Sequence, residues 1–130
     1  MRFWAEVLHY EEEGPPAGHA SWREFWLSIG LPEQEAVDSG GSIVDPEGVG
    51  PRMFFQDVPE GKTVKNRVHL DIDVTEGRKV PIEVRKEQVD AEAARLVAVG
   101  ATVFRVLSEE GLDHYAVVMQ DPEGNEFCLR

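Results

Sequence analysis

The chain has a single cysteine, Cys128, among its 130 residues. No intramolecular disulfide and no thiolate metal cluster can form, which suits a reducing cytoplasm. Long apolar runs are missing as well. Nothing approaches the roughly 20 residues needed to span a bilayer, and the opening MRFWAEVLHY is too short and too charged for a secretory signal. Positive charge is scarce: 13 Lys and Arg face 25 Asp and Glu, a net charge of −12. That balance argues against nucleic acid or an anionic membrane surface as a partner. The chain also lacks a G-x-S-x-G nucleophile elbow, a P-loop, a G-x-G-x-x-G turn and an H-E-x-x-H pair. Ready-made serine, phosphate, dinucleotide and zincin chemistries are therefore without a motif. The expectation is one soluble, cytoplasmic domain, long enough to bury a proper core.

What is present is a repeated turn. Asp-Pro-Glu-Gly occurs at 45–48 and again at 121–124, each time leading towards an apolar strand. Around the second copy the pattern is clear. RVHLDIDV alternates with period two, TEGRKVPIEVRKEQ reads as a loop, and VDAEAARLVAVG as a helix stopped by Gly100. ATVFRVL, DHYAVVMQ and NEFCLR then read as three strands. Around the first copy, FWAEVL is helical, HYEEE is a short strand, and SWREFWLSIGLPEQ is an additional helix with Ser21 and Glu24 at capping-box spacing. GGSIV and PRMFFQDV form a hairpin. Aligning the turns superposes two βαβββ units, a first module over about 1–60 and a second over about 64–130, except that the first lacks an opening strand. The sequence thus predicts an α+β fold of paired modules within one domain spanning 1–130.

Several residues carry potential chemistry. His69, Asp71 and Asp73 share one face of a strand. Such a face is either solvated or points ligands into a cavity, where imidazole and carboxylate together suit Zn, Fe, Ni or Mn. Glu126 stands in the apolar last strand, where a carboxylate has to be exposed, paired or metal-bound. Alternation sets Arg52, Phe54 and Gln56 against Met53 and Phe55 without choosing the inward face. His114 and Tyr115 open the penultimate strand and either pack or line a pocket. Cys128 reads as a plain buried thiol.

FFQDVPEGKTVKNRVHLDIDV, VDAEAARLVAVGATVFRVL and DHYAVVMQDPEGNEFCL together resemble the vicinal oxygen chelate superfamily (glyoxalase, bleomycin resistance and dioxygenase proteins), and most closely its glyoxalase-like branch of the actinobacterial type. The resemblance covers nearly the whole chain and implies that the two modules curl into a cup-shaped sheet with helices outside. It implies a divalent metal (Zn, Ni, Fe or Mn) held by His69 on the second module's first strand and Glu126 on its last. Glu126 would double as the catalytic base, and Gln56, Phe54, Asp71 and Tyr115 would line the cup. Family members usually have a strand before the FWAEVL helix, and it supplies a first ligand. This chain starts at the helix, so the resemblance implies an open sheet edge and a homodimer, in which strands are exchanged or paired.

Two functions follow from that likeness. One is a metal-dependent lyase, isomerase or dioxygenase acting on a small substrate with vicinal oxygens. The other is a metal-free protein that sequesters a small antibiotic-type molecule in the same cup, with Trp4, Trp22, Trp26, Phe54 and Phe55 available as aromatic surface.

Overall fold

A computed structural model describes residues 1–130, which divide into two compact units, Met1–Asp57 and Val58–Arg130. The first unit holds α1 (Arg2–Leu8), β1 (Glu11–Glu12), α2 (Trp22–Ser28), β2 (Ser42–Val44) and β3 (Met53–Phe54). The second holds β4 (Leu70–Ile72), a short 3-10 turn at Gly77–Lys79, α3 (Ile82–Ala98), β5 (Thr102–Leu107), β6 (Ala116–Gln120) and β7 (Glu126–Leu129). The fold is a mixed α+β one, with a sheet in each unit. No helix is long and apolar enough to cross a membrane.

The sheets differ by one strand. The first has order β1-β2-β3, both pairings antiparallel, and ends at β3. The second has order β4-β7-β6-β5. Its β4 lies parallel to β7, with Asp71 opposite Cys128, while β7 and β6 run antiparallel, with Cys128 opposite Val118. The strand that covers β7 in the second unit thus has no counterpart beside β3, as the missing opening strand leads one to expect.

The two Asp-Pro-Glu-Gly turns are built alike. Asp45 Oδ1 accepts from Glu47 N at 2.9 Å and its Oδ2 accepts from Gly50 N at 2.7 Å. Asp121 Oδ1 accepts from Glu123 N at 2.9 Å and Asn125 N at 2.8 Å. In each, the glycine amide also donates back to the aspartate carbonyl (Gly48 at 3.0 Å, Gly124 at 2.9 Å) with positive φ, 69° and 85°. An aspartate that satisfies its own turn amides and a glycine free to take positive φ are what this turn needs. The repeat therefore has a mechanical cause in both places.

Two helices depart from expectation. Instead of a loop, residues 82 onwards already form α3, which starts directly after Pro81 and runs for 17 residues. Its buried stripe is Arg85, Val89, Ala93 and Leu96. A buried arginine in that stripe breaks the apolar period, which hides the first two turns from a periodicity reading. α2 is shorter than expected and ends at Ser28. Ser21 Oγ accepts from Glu24 N at 3.1 Å, while the Glu24 carboxylate accepts from Ala20 N at 2.7 Å, so the box closes one residue further out than the usual pattern.

The core of the second unit is α3 against its sheet. Val89 and Leu96 of α3, and Val117, Met119, Phe127 and Leu129 of the strands that α3 contacts, are each no more than 2% exposed. Full burial of such side chains stabilises by about 1.5–3 kcal/mol apiece. These sheet residues point to one face by alternation, which consigns His69, Asp71, Glu126 and Cys128 to the other. Val68, expected on the apolar face, is 70% exposed because β4 begins only at Leu70.

Candidate functional site

The polar face of the second sheet is assembled by register. Cys128 stands between Asp71 of β4 and Val118 of β6 on the central strand, and Glu126 lies opposite Gln120 one row along. His69 sits immediately before β4, on the same side as Asp71 by strand alternation. Its Nε2 lies 3.1 Å from Cys128 Sγ and 3.8 Å from Asp71 Oδ1. One donor atom from each of His69, Asp71 and Cys128 falls within 4.8 Å of the other two.

Cys128 is 8% exposed, so the reading of a buried thiol holds for its burial but misses its polar neighbours. Burial pushes the thiol pKa up, and the Asp71 carboxylate adds to this, against the opposing charges of Arg105, Arg130 and Lys65. The thiol and the imidazole nitrogen stand within hydrogen-bonding distance of each other at 3.1 Å. Behind Asp71, Arg130 Nε stands 3.7 Å from its Oδ2 and 2.9 Å from Asp73 Oδ1. One guanidinium therefore braces two of the three acidic or basic positions expected on the strand.

Glu126 answers the question posed by a carboxylate in an apolar strand: it is paired. Its Oε2 lies 2.9 Å from Lys62 Nζ, which also donates to Gly124 O at 2.9 Å, and Asn66 Nδ2 donates to Glu126 O at 3.2 Å. The Lys62 hydrogen bond, with the lysine charge behind it, holds the carboxyl down at about 2. The trio that converges is thus His69, Asp71 and Cys128, while Glu126 is engaged by the loop lysine. A signal for Cys128 was available, since it follows Glu126 by two and must share its face. Lys62 lies in a polar connection without periodicity and carried none.

Of the other residues expected to line the cup, one lies in the second unit and two in the first. Tyr115 donates from its hydroxyl to Asp90 Oδ1 at 2.5 Å on α3. Burial first, and then that bond, push its pKa up to about 12. Phe54 and Gln56 belong to the first unit. Phe54 is 60% exposed, and Gln56 lies beyond the end of β3. There too, Trp22 stacks on Trp26 (5.3 Å, 23°), and their indole N–H groups donate to Glu13 O at 2.7 Å and Ser39 O at 3.2 Å.

The model of the family described as glyoxalase-like domain matches residues 1–130. The chain belongs to the glyoxalase-like family, within the vicinal oxygen chelate superfamily. Among solved structures, this glyoxalase-like chain is similar to the crystal structure of a glyoxalase/bleomycin resistance protein/dioxygenase family enzyme from Burkholderia phytofirmans PsJN. The identity is 19%, with 98% of this chain and 84% of that chain covered and a TM-score of 0.47. No curated protein matches.

A divalent ion is the cofactor such a family implies, and the donor set can be tested against it. Zinc binds histidine nitrogen, carboxylate oxygen and thiolate sulfur at about 2.0–2.3 Å, which puts two ligands of one tetrahedral ion roughly 3.5 Å apart. The observed His69–Cys128 and His69–Asp71 separations, 3.1 and 3.8 Å, bracket that distance, and Asp71 and Cys128 stay within 4.8 Å of each other. Nitrogen, oxygen and sulfur together also suit a borderline metal better than magnesium or calcium. The residues fit.

Proposed function

We propose that this glyoxalase-like protein is a divalent-metal-dependent enzyme of the lyase, isomerase or dioxygenase type, acting on a small substrate with vicinal oxygens. The observation that supports this reading is the convergence of His69, Asp71 and Cys128 donor atoms within 4.8 Å on one sheet face. Three protein ligands would leave an open coordination position for a substrate oxygen. When bound, the ion supplies Lewis-acid polarisation of that oxygen.

The chain's own residues do the rest. His69 offers Nε2, Asp71 offers Oδ1 under the hold of Arg130, and Cys128 gives up its thiol proton on loading, so binding releases protons. Glu126, on the same face, is the proton acceptor. It is ionised at every ordinary pH, but a carboxylate held at about 2 is a weak base. Lys62 therefore has to swing off it before it can take a proton. The open β3 edge supports the homodimer reading, with a second copy pairing there.

Elemental analysis by inductively coupled plasma mass spectrometry, on protein purified without chelator, tests the proposal. We expect about one Zn, Ni, Fe or Mn per chain, lost in His69→Ala and in Cys128→Ser. Metal-free wild-type protein that also takes up none of these four ions on dialysis would overturn it. Tight binding of a small molecule that chelator leaves untouched would favour the sequestering function instead.

A further inference from the structure

At the end of the second sheet, away from the thiol, lies a cleft of about 350 Å³ that the proposed metal chemistry does not use. It is lined by the end of β4 and β7, the 3-10 turn, the start of α3 and the residues that open β6. Three of the chain's 13 basic residues, Arg78, Arg85 and Arg130, meet here, against two carboxylates, Asp73 and Asp113. In a protein of net charge −12, three arginines are gathered here, balanced by Asp73, Asp113 and, through Arg130, Asp71.

The arginines are unequally engaged. Arg85 is 8% exposed and fixed: its Nε donates to Val80 O at 3.2 Å and its Nη2 contacts Asp113 Oδ1. Arg130 is held by Asp73 at 2.9 Å. Arg78 has an 82% exposed side chain, and its ion partner, Asp113 Oδ2, stands 3.7 Å away, beyond hydrogen-bond reach. A guanidinium has five donors in a planar fork that matches a carboxylate in bidentate fashion. The fork of Arg78 is the most exposed of the three. Tyr115 supplies a ring at the wall, its hydroxyl already committed to Asp90.

From this geometry we infer that the cleft binds a small monocarboxylic acid, with Arg78 gripping the carboxylate. One exposed fork suits a single carboxylate, and the volume lies at the small end of ligand pockets. Asp73 follows Asp71 by two residues, about 7 Å along the strand, and Arg130 reaches both. An acid anchored here would extend its other end towards the His69–Asp71–Cys128 trio, which would make the substrate a small oxygenated acid. That last step rests on the metal reading; the cleft itself does not.

The test is a two-dimensional ¹⁵N-amide NMR titration with benzoate, at fixed pH and ionic strength and in the presence of EDTA, so that the metal plays no part. Saturable shifts are expected at Gly77, Arg78, His114 and Tyr115, with a millimolar or tighter Kd. Benzamide, of the same shape without the charge, should bind at least about tenfold more weakly. Arg78→Gln should weaken benzoate by about tenfold, the loss of one charge-assisted contact. Lys79→Gln alters the same turn without touching the cleft and should change nothing. No saturable shift, equal binding of benzamide, or an equal loss in Lys79→Gln would each overturn the inference. If only the metal reading fails, benzoate still binds.

Discussion

Gly40 has an ordinary backbone conformation, yet a methyl group added there would lie within 2.8 Å of three atoms of the Trp22 ring. The ring would have to retreat by roughly an ångström to reach ordinary contact. Trp22 is poorly placed to yield. Its indole N–H donates to Glu13 O at 2.7 Å, it stacks on Trp26, and it meets Phe25 edge-on at 5.7 Å and 80°. Losing the hydrogen bond costs about 0.5–1.5 kcal/mol, and weakening an aromatic pair costs a similar amount. Against this, replacing glycine by alanine restrains the unfolded chain and returns about 0.4–1 kcal/mol. The net expectation for Gly40→Ala is a destabilisation of about 1.5 kcal/mol, or roughly 6 °C in Tm for a chain of this size. Gly14, with nothing within 4 Å and no positive φ, is the control, and Gly14→Ala should be neutral or slightly stabilising. Circular-dichroism melts give Tm, and tryptophan emission, which should shift to the red as Trp22 is displaced, reports the cause. A Gly40→Ala protein melting within about 2 °C of Gly14→Ala would refute the packing argument, since it leaves no room for that net cost.

Other expectations follow from the second unit. Leu96, fully buried beneath the sheet, should cost about 2–5 kcal/mol on replacement by alanine, read from urea denaturation. Glu126 has its folded pKa depressed from 4.5 to about 2. The stability it contributes is therefore present above about pH 4.5 and lost as pH falls towards 2. Lys62→Ala should bring its carboxyl titration, followed by NMR, back up towards the ordinary range; a titration still near 2 would mean that Lys62 is not the cause. Tyr115 has its pKa raised from 10 to about 12, so its contribution is complete below pH 10 and lost between 10 and 12. Absorbance at 295 nm should show a late-titrating tyrosine, and Asp90→Asn should move it earlier.

Much of the fold was legible because its signals are local. The twin turns announce themselves through residues that hydrogen-bond within five positions of each other, and β6 and β7 flank the second turn as a simple hairpin. The start of α3 was not legible, because Arg85 occupies a core position and finds its partner in Asp113, 28 residues on. At the site, strand period put Glu126 on the right face, but whether it met His69 or a lysine depended on Lys62, 64 residues earlier in the chain. Cys128 looked inert by composition, since burial and apolar neighbours in sequence are all that a linear reading offers.

The sequence by itself determined the two-module plan, the family and the set of residues on the polar side of β4 and β7. Turn chemistry and the two-residue strand period are properties of neighbouring residues and need no tertiary contact to be read. Which of those residues meet was decided only by the tertiary structure. His69 and Cys128 come within 3.1 Å because β4 pairs in parallel with β7, and the 58 residues between them carry no local signal of that register. A shift of one position in that pairing would turn every polar side chain of β4 into the core.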